Sequence, residues 1–193
     1  MEISEVRPST NALFAANFPK RYLRYTFKNF IVDTPEKESV REVAFDYVSN
    51  FQCTNEGTPL TLCGSVGTGK THLACAIAQE IMCRGYEVHM IHGDEITRKI
   101  NKSFLEISGT SRFDLIVIDD LCIQESAEKN FQLRKAILDL YNQGIPFVMT
   151  ATHSIAELKA LMGASGFDKL HECGGKVLSL DWTSYRTGYT PQN

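Results

Sequence analysis

The sequence predicts an α/β fold with a mostly parallel five-stranded sheet between helices. Five apolar, strand-like runs alternate with helix-like stretches over residues 60–182. One of them, FDLIVID at 113–119, is almost unbroken in apolar character until its last residue, as a strand buried on both faces should be. A glycine-rich turn, GSVGTGKT at 64–71, joins the first strand-like run to the first long helix-like run of the alternation. In sheets of this kind the chemistry lies beyond the carboxyl ends of the strands.

Residues 1–18 lack periodicity and read as a flexible or loosely docked arm. A helix starts at Thr34: Pro35 suits its first position, and Val40, Val43, Ala44, Tyr47, Val48 and Phe51 share one face. NEGTP at 55–59 then breaks the chain. The strand-like runs are LTLCG (60–64), YEVHMIH (86–92), FDLIVID (113–119), PFVMTAT (146–152) and KVLSLDW (176–182). Helices are expected near 70–83, 94–107, 126–142 and 154–162. Residues 19–188 would form one core with its lead-in, and 189–193 a tail. The stretch DWTSYRTGYTPQN is too short for a helical bundle, so no C-terminal lid domain is expected.

A chain of 193 residues suits one domain with a full core. Its 43% hydrophobic and 22% charged residues exclude wholesale disorder. Twenty basic and 23 acidic residues leave a net charge of −3, which excludes a general nucleic-acid coat but not a local basic patch. No apolar run approaches the ~18–20 residues that span a bilayer, and the N-terminus has no apolar signal region. Six cysteines form no CxxC pair and no zinc-spaced cluster. A reducing, cytoplasmic setting with no membrane contact is expected.

GSVGTGKT matches G-x-x-x-x-G-K-[ST] at Gly64, Gly69, Lys70 and Thr71, with an extra glycine at Gly67. The glycines let the loop curl, so that successive backbone N–H groups from Ser65, Val66, Gly67, Thr68 and Gly69 through His72 can face phosphate oxygens. The following helix N-terminus adds partial positive charge. Lys70 would reach the β- and γ-phosphates of ATP, and the Thr71 hydroxyl would ligate Mg²⁺. FDLIVIDD brings Asp119 and Asp120 to the end of a buried strand, the second half of a P-loop NTPase site. Asp119 would hold Mg²⁺, directly or through water.

GTGKTHLA, the apolar strand ending in DDL, and WTSYR near the C-terminus resemble the DnaC-like helicase loaders and their IstB-like transposition relatives. These are AAA+ ATPases. NFPKRYLRYTFKNF resembles that family's lead-in to the ATPase core, and the likeness spans about residues 18–188. The resemblance implies that Asp120 polarises the attacking water, although most relatives carry the longer Glu there. It places the sensor I group on Thr152, where relatives often have Asn, and the sensor II arginine on Arg186. The family's arginine finger falls in GASGFDKL, which offers Ser165 and Lys169 in place of arginine. Lysine presents a point charge rather than a planar fork, so weak assembly-stimulated hydrolysis, or a loader acting mainly as an ATP-binding switch, is expected.

The implied partners are a DnaB-like replicative helicase, single-stranded DNA and further copies of the chain. Leu13, Phe14 and Phe18 could supply a short helicase anchor. Arg98, Lys99 and Lys102, on the helix expected at 94–107, occupy the family's place for single-stranded-DNA contacts; a solvated helix face is the alternative. The lead-in KRYLRYTFK mixes basic and aromatic residues, and packing beside the nucleotide is favoured there over strand binding. Three other readings stay open. One is an IstB-like transposition helper ATPase that binds duplex DNA, and one is a weakly catalytic nucleotide-dependent interaction module. The last is a small-molecule kinase, against which stand a missing arginine-rich lid and acceptor pocket.

Overall fold

A computed structural model describes residues 7–51, 57–98 and 113–186. Five parallel strands form one sheet: β1 (Pro59–Cys63), β2 (Val88–His92), β3 (Leu115–Leu121), β4 (Phe147–Ala151) and β5 (Lys176–Ser179). Their order is β2-β3-β4-β1-β5. β1 and β4 pair directly, from Pro59 opposite Phe147 to Cys63 opposite Ala151. The α/β class and the parallel five-stranded sheet are those predicted.

Alternation along the central strands builds two cores. Leu115 and Val117 of β3 point into one cluster, with Leu60, Leu62, Val148 and the helices α2 (Pro35–Ser49) and α3 (Lys70–Cys83). Ile116 and Ile118 point into the other, with Met149 and the helices α5 (Ala127–Asn142) and α6 (Ile155–Lys169). Both faces are therefore covered, which is why these strands read as unbroken apolar runs. Truncating a fully buried residue such as Ile118 to Ala costs about 2–5 kcal/mol in cores of this kind.

Helix starts follow local chemistry. Thr34 caps α2 by accepting from the Lys37 amide, and Pro35 takes its first turn. Ser154 and Glu157 form a reciprocal capping box on α6. Leu133, Ala136, Ile137 and Leu140 give α5 its buried stripe. The helix expected at 154–162 is followed directly by a second one. Gly163, at φ +69°, breaks the helical path, and helical backbone resumes up to Lys169.

The first residues differ from expectation. The helix α1 (Thr10–Ala15) is capped by Ser9, and Ala16 and Phe18 beyond it are buried. The Met90 amide donates to Ala16 O at 2.8 Å, and Asn17 Nδ2 donates to Met90 O at 3.3 Å. The segment read as an arm is thus laid along β2 from residue 10 onward. One backbone bond, the Asn17 side chain and the buried Ala16 and Phe18 fix it, contacts too few to leave a periodic pattern. At the other edge, β5 ends at Ser179 rather than at residue 182. Leu180 still donates to Cys63 O at 2.8 Å, and then Asp181 turns toward the glycine-rich loop.

The short helix α4 (Gly93–Arg98) follows β2. Arg98 is its last residue; Lys99 and Lys102 lie outside the described residues, so the structure gives the expected basic helix face no test. No helix among the described residues is long and apolar enough to cross a membrane.

Candidate nucleotide-binding site

The loop from Gly64 to Gly69 leaves β1 and runs directly into α3. Two glycines are required by space as well as by backbone. Gly64 has φ +120°, and a Cβ there would meet Leu180 O at 2.5 Å. Gly69, the residue before α3, has φ +97°, and a Cβ would press on the Phe30 ring at 2.7 Å. The loop is tied from three sides. Gly64 N donates to His153 O at 3.0 Å, Trp182 Nε1 donates to Thr68 O at 3.0 Å, and Tyr185 N donates to Gly67 O at 2.9 Å. Asp181 accepts from the Ser65 amide at 3.1 Å and from its hydroxyl at 3.2 Å. Val66 is exposed at the loop tip.

Lys70 is buried inside this curl. Its ammonium donates to Gly64 O at 2.8 Å and to Ser65 O. Burial holds its pKa below the ordinary lysine value, opposed by the Asp120 and Asp181 charges. Two loop carbonyls thus steady a cation at the N-terminal end of a helix, beside the amides of the curl.

Asp119, only 3% exposed, is clamped by hydroxyls. Its Oδ1 accepts from Thr71 at 2.9 Å and from Thr150 at 2.9 Å, while Oδ2 accepts from Tyr22 at 3.2 Å. The Thr71 hydroxyl and the Asp119 carboxylate make an all-oxygen donor pair, the hard chemistry that Mg²⁺ takes. Asp120 stands beside it with φ +58°, one of three non-glycine residues in the left-handed region among the described residues. Its amide donates to Thr150 Oγ1 at 2.8 Å, and its half-exposed carboxylate faces His92.

The remaining predicted residues divide. Arg186 is brought to the loop: its Cγ lies 3.5 Å from where a Cβ on Gly67 would sit, and its charge bears on Lys70. Thr152 is exposed past the end of β4; the hydroxyl that reaches both acids belongs to Thr150, two residues earlier. Lys169 closes α6 with its ammonium 4.2 Å above the Tyr141 ring, apart from the groups converging on the loop. His72 is turned into the lead-in. Its Nε2 lies 2.8 Å from Thr26 O, its ring stacks on Tyr25, and burial lowers its pKa. The lead-in aromatics pack, as favoured: Phe27 and Phe30 are buried, and Gln79 on α3 donates to Tyr25 O at 2.6 Å.

Sequence reasoning missed Tyr22, Thr150, Asp181 and Trp182 as parts of this site. Thr150 had a signal, a hydroxyl inside an otherwise apolar strand end. Tyr22 had none, because its partner is 97 positions away.

Amides curled about a buried lysine, with a shielded aspartate two strands away, define a P-loop nucleotide-binding protein with an AAA+ core. The profile of the IstB-like ATP binding protein family matches residues 7–187, and the chain belongs to that family. The replicative helicase loader DnaC of Escherichia coli (strain K12) is 27% identical over 175 residues, covering 86% of this chain and 70% of that protein. A crystal structure of the DnaC helicase loader superposes with a TM-score of 0.71 at 22% identity, covering 84% of this chain and 99% of that one. A crystal structure of DnaI gives 0.70 at 16% identity, covering 86% and 93%. The two solved structures share the fold.

Proposed function

We propose that this chain is an ATP- and Mg²⁺-dependent AAA+ protein that loads a DnaB-like replicative helicase onto single-stranded DNA. The observation that carries the reading is the sustained likeness to the DnaC loader over 86% of the chain. The site geometry supports the nucleotide part. Backbone amides of Ser65 to Thr71 would bind the phosphates, with Lys70 between the β- and γ-groups. Thr71 and Asp119 would hold Mg²⁺, which when bound neutralises charge on those phosphates.

Hydrolysis falls to Asp120. Its carboxylate is half exposed beside the shielded Asp119, where it can accept a proton from an attacking water. Arg186, beside Gly67, adds positive charge at the phosphates. Thr152 is proposed as the polar group that helps to orient the water. Lys169 would serve a neighbouring copy in an assembly, and a point charge in place of a guanidinium keeps that stimulation low. Arg98, Lys99 and Lys102 are the proposed strand contacts. Cytoplasmic action follows from the same reading.

The deciding experiment is co-purification with the replicative helicase of the same cell, with ATP and with ADP, followed by helicase loading on single-stranded DNA. ATP-dependent capture and loading are expected. Absence of any helicase complex overturns the loader reading, and stimulation by duplex DNA with a transposase would replace it by the transposition helper.

A further inference from the structure

The lead-in turn Lys20–Arg24 carries a side chain that reaches the acidic strand end. Tyr22 OH lies 3.2 Å from Asp119 Oδ2, and Arg21 Nη2 donates to the same hydroxyl at 3.1 Å. A guanidinium only donates, and a phenol has one proton. With Arg21 on its lone pair, that proton is directed at Asp119.

The ring itself is fixed. It meets Phe18 edge-on at 6.3 Å and Tyr25 at 5.5 Å, and the Tyr22 carbonyl accepts from Gln79 Nε2 at 3.4 Å. Asp119 Oδ1 is held by Thr71 and Thr150, so Tyr22 is the donor on the other oxygen. Thr71 belongs to the phosphate loop and Thr150 to the sheet. Tyr22 alone among the three comes from outside the strand–helix core, on a turn laid against α3.

We propose that Tyr22 is a positioning residue for the metal-binding carboxylate: its hydroxyl fixes the orientation in which Asp119 meets a divalent cation, and so ties the lead-in segment to metal-dependent nucleotide binding. This rests on the reading of Asp119 as the Mg²⁺ carboxylate. Outer hydrogen-bond partners of metal-binding carboxylates commonly govern metal affinity in this way.

The test is Tyr22→Phe, which keeps the ring contacts and removes only the hydroxyl. Binding of a fluorescent ATP analogue is measured against Mg²⁺ concentration and again in EDTA, with the melting temperature as a check on folding. The expected result is a Mg²⁺ midpoint raised by about tenfold or more, with unchanged affinity in EDTA and a melting temperature near that of the unaltered chain. An unchanged midpoint overturns the proposal, as does equal weakening with and without Mg²⁺. Asp119→Asn in the same titration separates two failures. If it shifts the midpoint while Tyr22→Phe does not, only the Tyr22 role falls; if neither shifts it, the reading of Asp119 falls as well.

Discussion

His92 Nε2 stands 3.7 Å from Asp120 Oδ2, across the gap between the ends of β2 and β3. Both side chains are about half exposed, and the strand register sets His92 opposite Asp119. The left-handed backbone at Asp120 sets the direction in which its carboxylate leaves the strand end. Asp120→Asn should cut ATP turnover by about 10²–10⁴-fold while leaving ATP binding intact. His92→Ala, which removes the half-exposed ring beside Asp120 and the acceptor for the Asp94 amide, should cost about two- to fivefold in kcat. Steady-state phosphate release, with binding measured in parallel, checks both.

Lys70 donates to two carbonyls of its own loop and can turn the same protons to phosphate. Lys70→Ala should weaken ATP binding by about 10–100-fold, the worth of a charged hydrogen bond. Because the ammonium is buried at some cost, the variant should not be less stable than the parent by more than about 1 kcal/mol. Nucleotide titration and urea unfolding of the same sample read the two effects.

Thr150 joins the two acids, donating to Asp119 Oδ1 and accepting from the Asp120 amide. Thr150→Val keeps the shape and strips both bonds, leaving a buried carboxylate and a strained amide short of a partner. The expected loss is about 1–3 kcal/mol of stability, with Thr150→Ser recovering most of it. Urea midpoints at constant slope are the measurement.

Asp181 gives the loop one source of acid dependence. The Ser179 hydroxyl, followed by the Ser65 amide and hydroxyl, holds its carboxyl below the ordinary value of 3.8. A depressed carboxyl stabilises the fold above its unfolded pKa, and that contribution fades as pH falls through the lower folded value. Exposure keeps the effect small. Melting temperatures between about pH 6 and about pH 3 should therefore fall less steeply for Asp181→Asn than for the parent chain. A parallel decline would remove Asp181 from the acid limb.

The phosphate loop and Asp119 were legible because their chemistry is contiguous: glycines before a lysine, an acid after an apolar run. The sheet was legible because burial on both faces makes Leu115 to Ile118 uniformly apolar. The clamp on Asp119 was not, since Tyr22 and Thr150 reach it from 97 and 31 positions away. The continuation of α6 beyond residue 162 was hidden by Gly163, which reads as a stop although helical backbone resumes after it. Arg186 was found beside Gly67 through its resemblance to a family motif, not through any local pattern.

The pairing of Met90 with Ala16 and Asn17 has a consequence for solubility. A sheet margin with open amides and carbonyls recruits strands from other molecules. At β2 the chain's own residues 16 and 17 occupy the Met90 amide and carbonyl. A version of the protein trimmed to begin at the lead-in turn would keep every phosphate-binding group and yet bare that margin. It would be expected to clump on concentration, a fault of self-association rather than of nucleotide chemistry.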